Sequence, residues 1–271
     1  MTLLLQVSDP HFGTERPPVA AALRELAAAQ QPQVLIVSGD ITQRGSASQF
    51  RAARSYLDSL GVPQRLVVPG THDIPLFSPL ARWLRPYAGF HQAFGPELEP
   101  ELDLPELLAI GVNTTRPRRH TDGEVSEAQV QRVAQRLRQA APGQLRVVVT
   151  HQPVHVVRPR DEHNLLHGAG AAVRAWAAAG ADLVLGGHIH FPSVGLLGDR
   201  YPGLPRRAWG VQAGTSVSWR IRFEAGNSVN LLRYEAGTAP RCRVERWDYA
   251  EKAGRFEMAR SEELLLDRAS G

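Results

Sequence analysis

Short apolar runs at residues 3–7, 34–37, 66–68, 107–112, 145–149 and 183–185 recur along the chain, each close to Gly, Pro or polar turn residues. Runs this short and this apolar read as buried strands. Between several of them the apolar residues take up helical spacing: Val19, Leu23 and Leu26; then Phe50, Ala53, Tyr56, Leu57 and Leu60; then Val130, Val133 and Leu137. The third segment opens with Ser126-Glu127-Ala128-Gln129, the form of a capping box, in which serine and glutamine satisfy free amide groups. Strands alternating with helices predict an α/β fold with a largely buried sheet covered on both faces. After Gly187 the pattern changes. Residues 208–213, 228–234 and 244–247 are strand-like and separated by Gly, Pro and charged turns, as expected of antiparallel strands completing a second sheet.

A chain of 271 residues, 43% hydrophobic and 21% charged, has the composition of an ordinary globular protein and is long enough to bury a sizeable core. No linker, repeat or low-complexity stretch divides it, so one domain spanning 1–271 is expected, with 191–271 its mainly β part. Residues 74–105 are the least regular, with Trp83, Tyr87, Phe90 and Phe94 at roughly helical spacing. They read either as a helix packed on the core or as a cap over a site. The single Cys242 excludes an internal disulfide, which makes a reducing cytosol the expected compartment. Residues 1–7 carry no basic leader and reach Ser8-Asp9 too soon for a signal or a membrane span, so a first strand is expected there.

The net charge of +4 rests on arginine, Lys252 being the only lysine. Arg116-Pro117-Arg118-Arg119-His120 is the one tight basic cluster, either a solvated loop or a clamp for an anionic substrate. Nucleic acid is disfavoured as a partner, because aromatic residues are not interleaved with the basic ones.

The acids and histidines fall just past strand ends. Asp9 and His11 follow the first strand, Asp40 the second, Gly70-Thr71-His72-Asp73 the third, Thr150-His151 a later one, and Gly186-Gly187-His188-Ile189-His190 another. In an open α/β sheet those ends share one edge, where ligands bind. Residues two apart in extended chain point the same way, so Asp9 with His11, and His188 with His190, can address one metal. Carboxylates and imidazoles without cysteine suit manganese, iron, zinc or magnesium. His91, His120, His155, His163 and His167 lack such a setting and read as surface or supporting groups.

This ordered set resembles the calcineurin-like metallophosphoesterase superfamily from Asp9 through His190, and Gln212-Ala213-Gly214-Thr215 looks like its later strand and turn. Ile41-Thr42-Gln43-Arg44-Gly45 and Asp73-Ile74-Pro75-Leu76 look most like a bacterial branch near the class III cyclic-nucleotide phosphodiesterases. The resemblance implies a four-layer α/β/β/α sandwich with a dinuclear site at the C-terminal ends of the strands. It implies that Asp9, His11 and His190 hold a first metal, Asp40 bridges, and His151 and His188 hold a second. His72 would be the acid or charge-stabilising group, oriented by Asp73. Two divalent ions, manganese or iron foremost and zinc or magnesium as alternatives, would share a hydroxide for in-line attack on a phosphate ester.

One position departs from the family pattern. Thr71 stands where the family has a metal-ligand asparagine, which implies a weaker or more selective second site. A catalytically impaired metal-binding or scaffold protein is therefore the competing reading, although retention of His72 and Asp73 favours an enzyme. Within the enzyme reading a small-molecule phosphodiester is expected, with a UDP-sugar lipid diphosphate as the alternative. A lipid-linked substrate would need no transmembrane segment, and nothing in the pattern sets the oligomeric state.

Overall fold

A computed structural model of the chain describes all residues except Phe77, His120, Phe223, Thr238, Ala239 and 268–271, and the side chain of Pro79. His120 of the basic cluster therefore lies outside the described residues. In chain order the elements are β1 (Thr2–Val7), α1 (Pro17–Gln30), β2 (Val34–Ser38), α2 (Ala47–Ser59), β3 (Gln64–Val68), α3 (Pro79–Leu84), α4 (Ala88–Phe94), β4 (Glu101–Leu104), β5 (Leu107–Gly111) and α5 (Glu127–Arg138). There follow β6 (Leu145–Val149), α6 (Ala169–Ala178), β7 (Leu183–Gly186), β8 (Ser193–Leu196), α7 (Leu197–Arg200), β9 (Trp209–Gln212), β10 (Ser228–Glu235), β11 (Arg241–Ala250) and β12 (Arg255–Leu264).

Two six-stranded sheets, β12-β11-β10-β1-β2-β3 and β4-β5-β6-β7-β9-β8, form the two inner layers of a four-layer α/β/β/α sandwich. Leu4, Ile36, Val68, Leu145, Val147, Leu185, Val211 and Leu232 fill the space between them. The alternate residues of β1 and β2, Leu5, Val7, Leu35 and Val37, pack outward against Leu23 of α1 and Phe50 and Leu57 of α2. On the far side Val148 and Val184 meet Val133 and Leu137 of α5 and Trp176 of α6. Strands buried on both faces carry apolar residues at every position, which is why the central runs lack alternation. Fully burying one leucine-sized side chain is worth roughly 1.5–3 kcal/mol.

Parallel pairing of β1 with β2, β2 with β3, β5 with β6, β6 with β7 and β7 with β9 brings the C-terminal ends of these strands to one edge. The capping box at α5 forms as read, with Ser126 accepting from the Gln129 amide and Gln129 reaching back. Five elements escaped the sequence reading, the short β4 and α7 among them. α6 is so rich in alanine that it shows no distinct stripe, β8 is only four residues long, and β12 is an edge strand whose exposed residues are mostly charged. Residues 74–105 divide between two roles. Phe90 is wholly buried against Phe50 and Phe94, whereas Leu80, Trp83 and Leu84 on α3 are 68%, 81% and 59% exposed.

Candidate metal centre

Five of the chemically notable residues follow their strands through a tight reversal. Among the described residues six non-glycines have positive φ, and five of them are Asp9 (49°), His11 (42°), Asp40 (49°), His188 (69°) and His190 (54°). Such backbone costs on the order of 1–3 kcal/mol per residue and persists where surrounding contacts over-determine it. The effect is to turn buried side chains toward one another.

Two donor groups result. Asp9, His11, Asp40 and His190 form one, and Asp40, His151 and His188 the other, each with its donor atoms within 4.8 Å. Asp40 belongs to both. The facing Nε2 atoms of His11 and His190 are 3.2 Å apart, and His190 Nε2 lies 3.3 Å from Asp9 Oδ1. His11 Nε2 is 3.8 Å from Asp9 Oδ1 and 3.7 Å from Asp40 Oδ2, while His151 Nε2 is 3.2 Å from Asp40 Oδ1. Donors on one ion at about 2.0–2.2 Å stand about 3 Å apart or a little more, so these spacings suit a shared cation. His151 Nε2 and His188 Nδ1 are buried without a hydrogen-bond partner, a cost that a cation removes. The residues fit a pair of divalent ions.

The other ring nitrogens of His151 and His190 are held by main chain. His151 Nδ1 lies 2.9 Å from the Ser38 carbonyl oxygen, and His190 Nδ1 meets the Arg220 carbonyl oxygen. A ring N–H donating to a carbonyl fixes the ring's orientation and makes the opposite nitrogen the one that offers a lone pair when the imidazole is neutral. Ser8 Oγ donates to Asp9 Oδ2 at 2.7 Å, and the His188 amide donates to the same oxygen at 3.0 Å.

Charge is distributed unevenly. Burial drives His11 down to about 3 and His188 to about 4, overcoming their attraction to Asp40 and Asp9, so both are neutral donors. Burial opposes the charged form of His151 too, but the adjacent Asp40 carboxylate raises it to about 9. Burial likewise opposes ionised Asp9 and Asp40, yet His190 brings Asp9 down to about 2 and His151 holds Asp40 well below the usual carboxylate range.

His72 stands beside these groups. Its ring meets that of His11 edge-on with centroids 4.8 Å apart, and its amide donates to Asp40 Oδ1 at 2.8 Å. The structure corrects the role expected of Asp73. The Asp73 carboxylate accepts from the amides of Ile41, Thr42 and Gly70 at 3.1, 2.8 and 2.8 Å and from Thr42 Oγ1 at 2.9 Å, so its oxygens are spent within the two loops and tie them together. The Gln43 carbonyl, 2.9 Å from His72 Nδ1, orients the imidazole instead. Burial first, then the Asp40 charge, raises Asp73 to about 6 despite those amides. Thr71 is buried with Oγ1 3.4 Å from Asp40 Oδ1, so its hydroxyl faces the carboxylate common to both donor groups. Ser38, Gln43 and Arg220 act through backbone carbonyls, which no residue type announces, and sequence reasoning missed all three.

The basic cluster is internally committed. Arg116 donates to Asn113 O, Thr115 O and Gln129 Oε1, Arg119 pairs with Glu124 and Asp122, and Arg118 lies 3.8 Å from Glu124. A second charged network braces the loop that carries Arg220: Asp161, 1% exposed, accepts from Arg158 and Arg222 at 2.8 Å each. Burial favours protonation of Asp161, but the two guanidiniums outweigh it and lower its pKa. A depressed carboxylate contributes stability above the unfolded value near 3.8, and that contribution disappears as pH falls through the lower folded value. Asp161→Asn is therefore expected to destabilise the protein by about 1–3 kcal/mol at pH 7 and by progressively less below pH ~4, measured by urea unfolding across pH.

Comparison with known proteins extends these observations. The profile of the calcineurin-like phosphoesterases matches residues 2–192. A probable cyclic nucleotide phosphodiesterase of Synechococcus sp. is 26% identical over 201 residues, covering 70% of this chain and 74% of that one. Among solved structures, a dimetal phosphatase from Danio rerio superposes with a TM-score of 0.64 at 14% identity, over 98% of this chain and 99% of its own. The purple acid phosphatase PPD1 of yellow lupin gives 0.72 at 10% identity, over 98% of this chain and 54% of its own. At such identities the two superpositions speak for the fold.

Proposed function

The chain belongs to the calcineurin-like phosphoesterase family, and from that premise we propose that it is a metal-dependent phosphodiesterase acting on small phosphate diesters. The observation that carries the reading is the pair of buried donor groups sharing Asp40. Asp9, His11 and His190 would hold one divalent ion, His151 and His188 the other, with Asp40 common to both and Thr71 Oγ1 a weak addition to the second. Manganese or iron suits the nitrogen and oxygen donors, with zinc or magnesium as alternatives. Such a pair of ions, when bound, supplies polarisation of the phosphoryl group and acidification of water.

The protein's own residues supply the rest. Because Gln43 accepts from Nδ1, the Nε2 of His72 is the nitrogen available to a substrate oxygen, where it can hold a proton against the departing alkoxide. Burial of Asp9, His11, Asp40 and His151, each no more than 2% exposed, keeps water from loosening the donor geometry. The related Synechococcus protein, a probable cyclic nucleotide phosphodiesterase, favours cyclic nucleotides as the first substrates to try. A lipid-linked diphosphate is a second reading, favoured by the exposed Leu80, Trp83 and Leu84 of α3.

Titration with manganese, read as metal per chain and as hydrolysis of bis(p-nitrophenyl) phosphate, tests the proposal. Two ions per chain with turnover rising in step are expected, and Thr71→Asn should tighten the weaker ion. Absence of turnover at saturating manganese would instead favour a binding or scaffold role. In the substrate screen that follows, a loss on Trp83→Ala confined to lipid-linked diphosphates would move the substrate class to them.

A further inference from the structure

Beneath the candidate metal centre, three buried amides cross from one sheet to the other. Gln6 on β1, Gln212 on β9 and Asn230 on β10 are 0%, 3% and 2% exposed. Asn230 Nδ2 donates to Gln6 Oε1 at 3.0 Å and to the Gln212 carbonyl at 3.3 Å. Gln6 Nε2 donates to the Gly186 carbonyl at 3.1 Å, and Gln212 Nε2 donates to the Gly187 carbonyl at 2.8 Å. Each amide donates to at least one main-chain carbonyl, which only accepts, so the direction of each amide is set, and Gln6 Nε2 also reaches Ser38 Oγ at 3.4 Å. None of the three belongs to either donor group.

The residues they hold are those that begin the sharpest turn of the site. After Gly187 the chain enters positive φ at His188 and again at His190, 69° and 54°, conformations that side chains other than glycine resist. Main chain holds the start of this turn, with the Ala213 amide donating to Gly186 O at 2.9 Å and the Gly187 amide to His151 O at 2.9 Å, whereas the only main-chain donor to Gly187 O among the described residues is the Ile189 amide two residues on, at 2.8 Å. The glycines are required because the site closes on them. A Cβ on Gly186 would stand 2.2 Å from Gln212 Oε1, and one on Gly187 would stand 1.9 Å from Ser8 Oγ and 2.6 Å from Asp9 Oδ2. An amide fixed on one side and a carboxylate on the other thus clamp the dipeptide that delivers His188 and His190.

We propose that Gln212, with Gln6 and Asn230, is a positioning residue for the metal centre, holding the Gly186-Gly187 turn across the two sheets so that His188 and His190 each meet their own donor group. The role rests on the metal-centre reading above, and it makes inter-sheet packing and ligand geometry one mechanical unit. An aliphatic side chain in place of Gln212 would fill the same space and leave the Gly187 carbonyl with a single donor. The turn would then relax toward ordinary φ values, carrying the imidazoles away from Asp9 and Asp40.

Cobalt(II) titration of the full chain, followed by its visible ligand-field spectrum, tests this without reference to turnover. Gln212→Met is expected to weaken cobalt affinity by about 10–100-fold and to change band positions or intensities. Tyr234→Phe is the control, because Tyr234 is buried between the same sheets and its hydroxyl donates to the distant Gly143 carbonyl. That variant should lower the melting temperature of the metal-free protein at least as much while leaving the cobalt spectrum alone. Should Gln212→Met fail to fold, Gln6→Met, which loses the bond to Gly186, gives the same two readouts. Unchanged affinity and spectrum in a folded glutamine variant, or equal changes in Tyr234→Phe, would overturn the positioning role. No cobalt spectrum in the unaltered protein would overturn the metal centre itself.

Discussion

Asp40→Asn is expected to strip both metal positions at once and to lower turnover by more than the roughly 10–100-fold typical of losing an outer ligand partner. The reason is geometric. One Asp40 oxygen faces His151 Nε2 at 3.2 Å and accepts the His72 amide at 2.8 Å, while the other lies 3.7 Å from His11 Nε2. Asparagine preserves the shape but replaces one acceptor by an NH2 group, which has no lone pair for a cation. It also removes a charge that its surroundings keep fully ionised, so His151 loses the partner that raises it to about 9. Metal per chain and kcat should fall together, with circular dichroism showing a retained fold. Two tightly held manganese ions and normal turnover in this variant would mean that Asp40 does not link the two groups.

His72→Ala is expected to have the opposite profile: nearly full metal content with kcat reduced by about 10²–10⁴-fold, the range for loss of one positioned acid or base. His72 touches the site without joining either donor group, and its Nδ1 is engaged by Gln43, so deletion of the ring removes a proton carrier and no ligand. The effect should appear in kcat with less change in KM, because the substrate phosphate would still meet the metal ions. An activated ester, whose leaving group needs no proton, should show the smallest loss. If ordinary and activated esters slowed equally, the ring would be stabilising charge at the phosphoryl group and not protonating the leaving oxygen. Normal turnover with all esters would remove His72 from the mechanism.

The two variants divide the site into its holding and its acting parts, and the sequence distinguishes these unequally. Asp9, His11, Asp40, His151, His188 and His190 were legible because each follows an apolar strand run, and parallel strands bring such positions to one edge whatever the loops do. The two donor groups are in this sense consequences of topology. Asp73 was misread in its role because adjacency to His72 in the chain says nothing about which way a carboxylate turns. Buried, it is drawn to the free amides of Ile41, Thr42 and Gly70, which would otherwise be unpaired.

The basic cluster at 116–119 illustrates the same limit. Its composition was compatible with an anion clamp, and only the fold brings Glu124, Asp122 and Gln129 near enough to engage those guanidiniums. Within 74–105 the helical spacing of Trp83, Tyr87, Phe90 and Phe94 was legible, whereas their different burial depends on where α2 lies.

The sequence by itself determined the α/β alternation of the central strands and helices, the family, and the identity of the chemically able side chains, because hydrophobic period and residue type are local properties of the chain. Tertiary structure alone decided which atoms face one another: the positive-φ turns that converge the ligands, the carbonyls of Ser38, Gln43 and Arg220 that set the imidazole orientations, and the amides of Gln6, Gln212 and Asn230 beneath them. These are contacts between residues far apart in the chain, made by backbone groups that every residue carries, so they become specific only once the two sheets have packed.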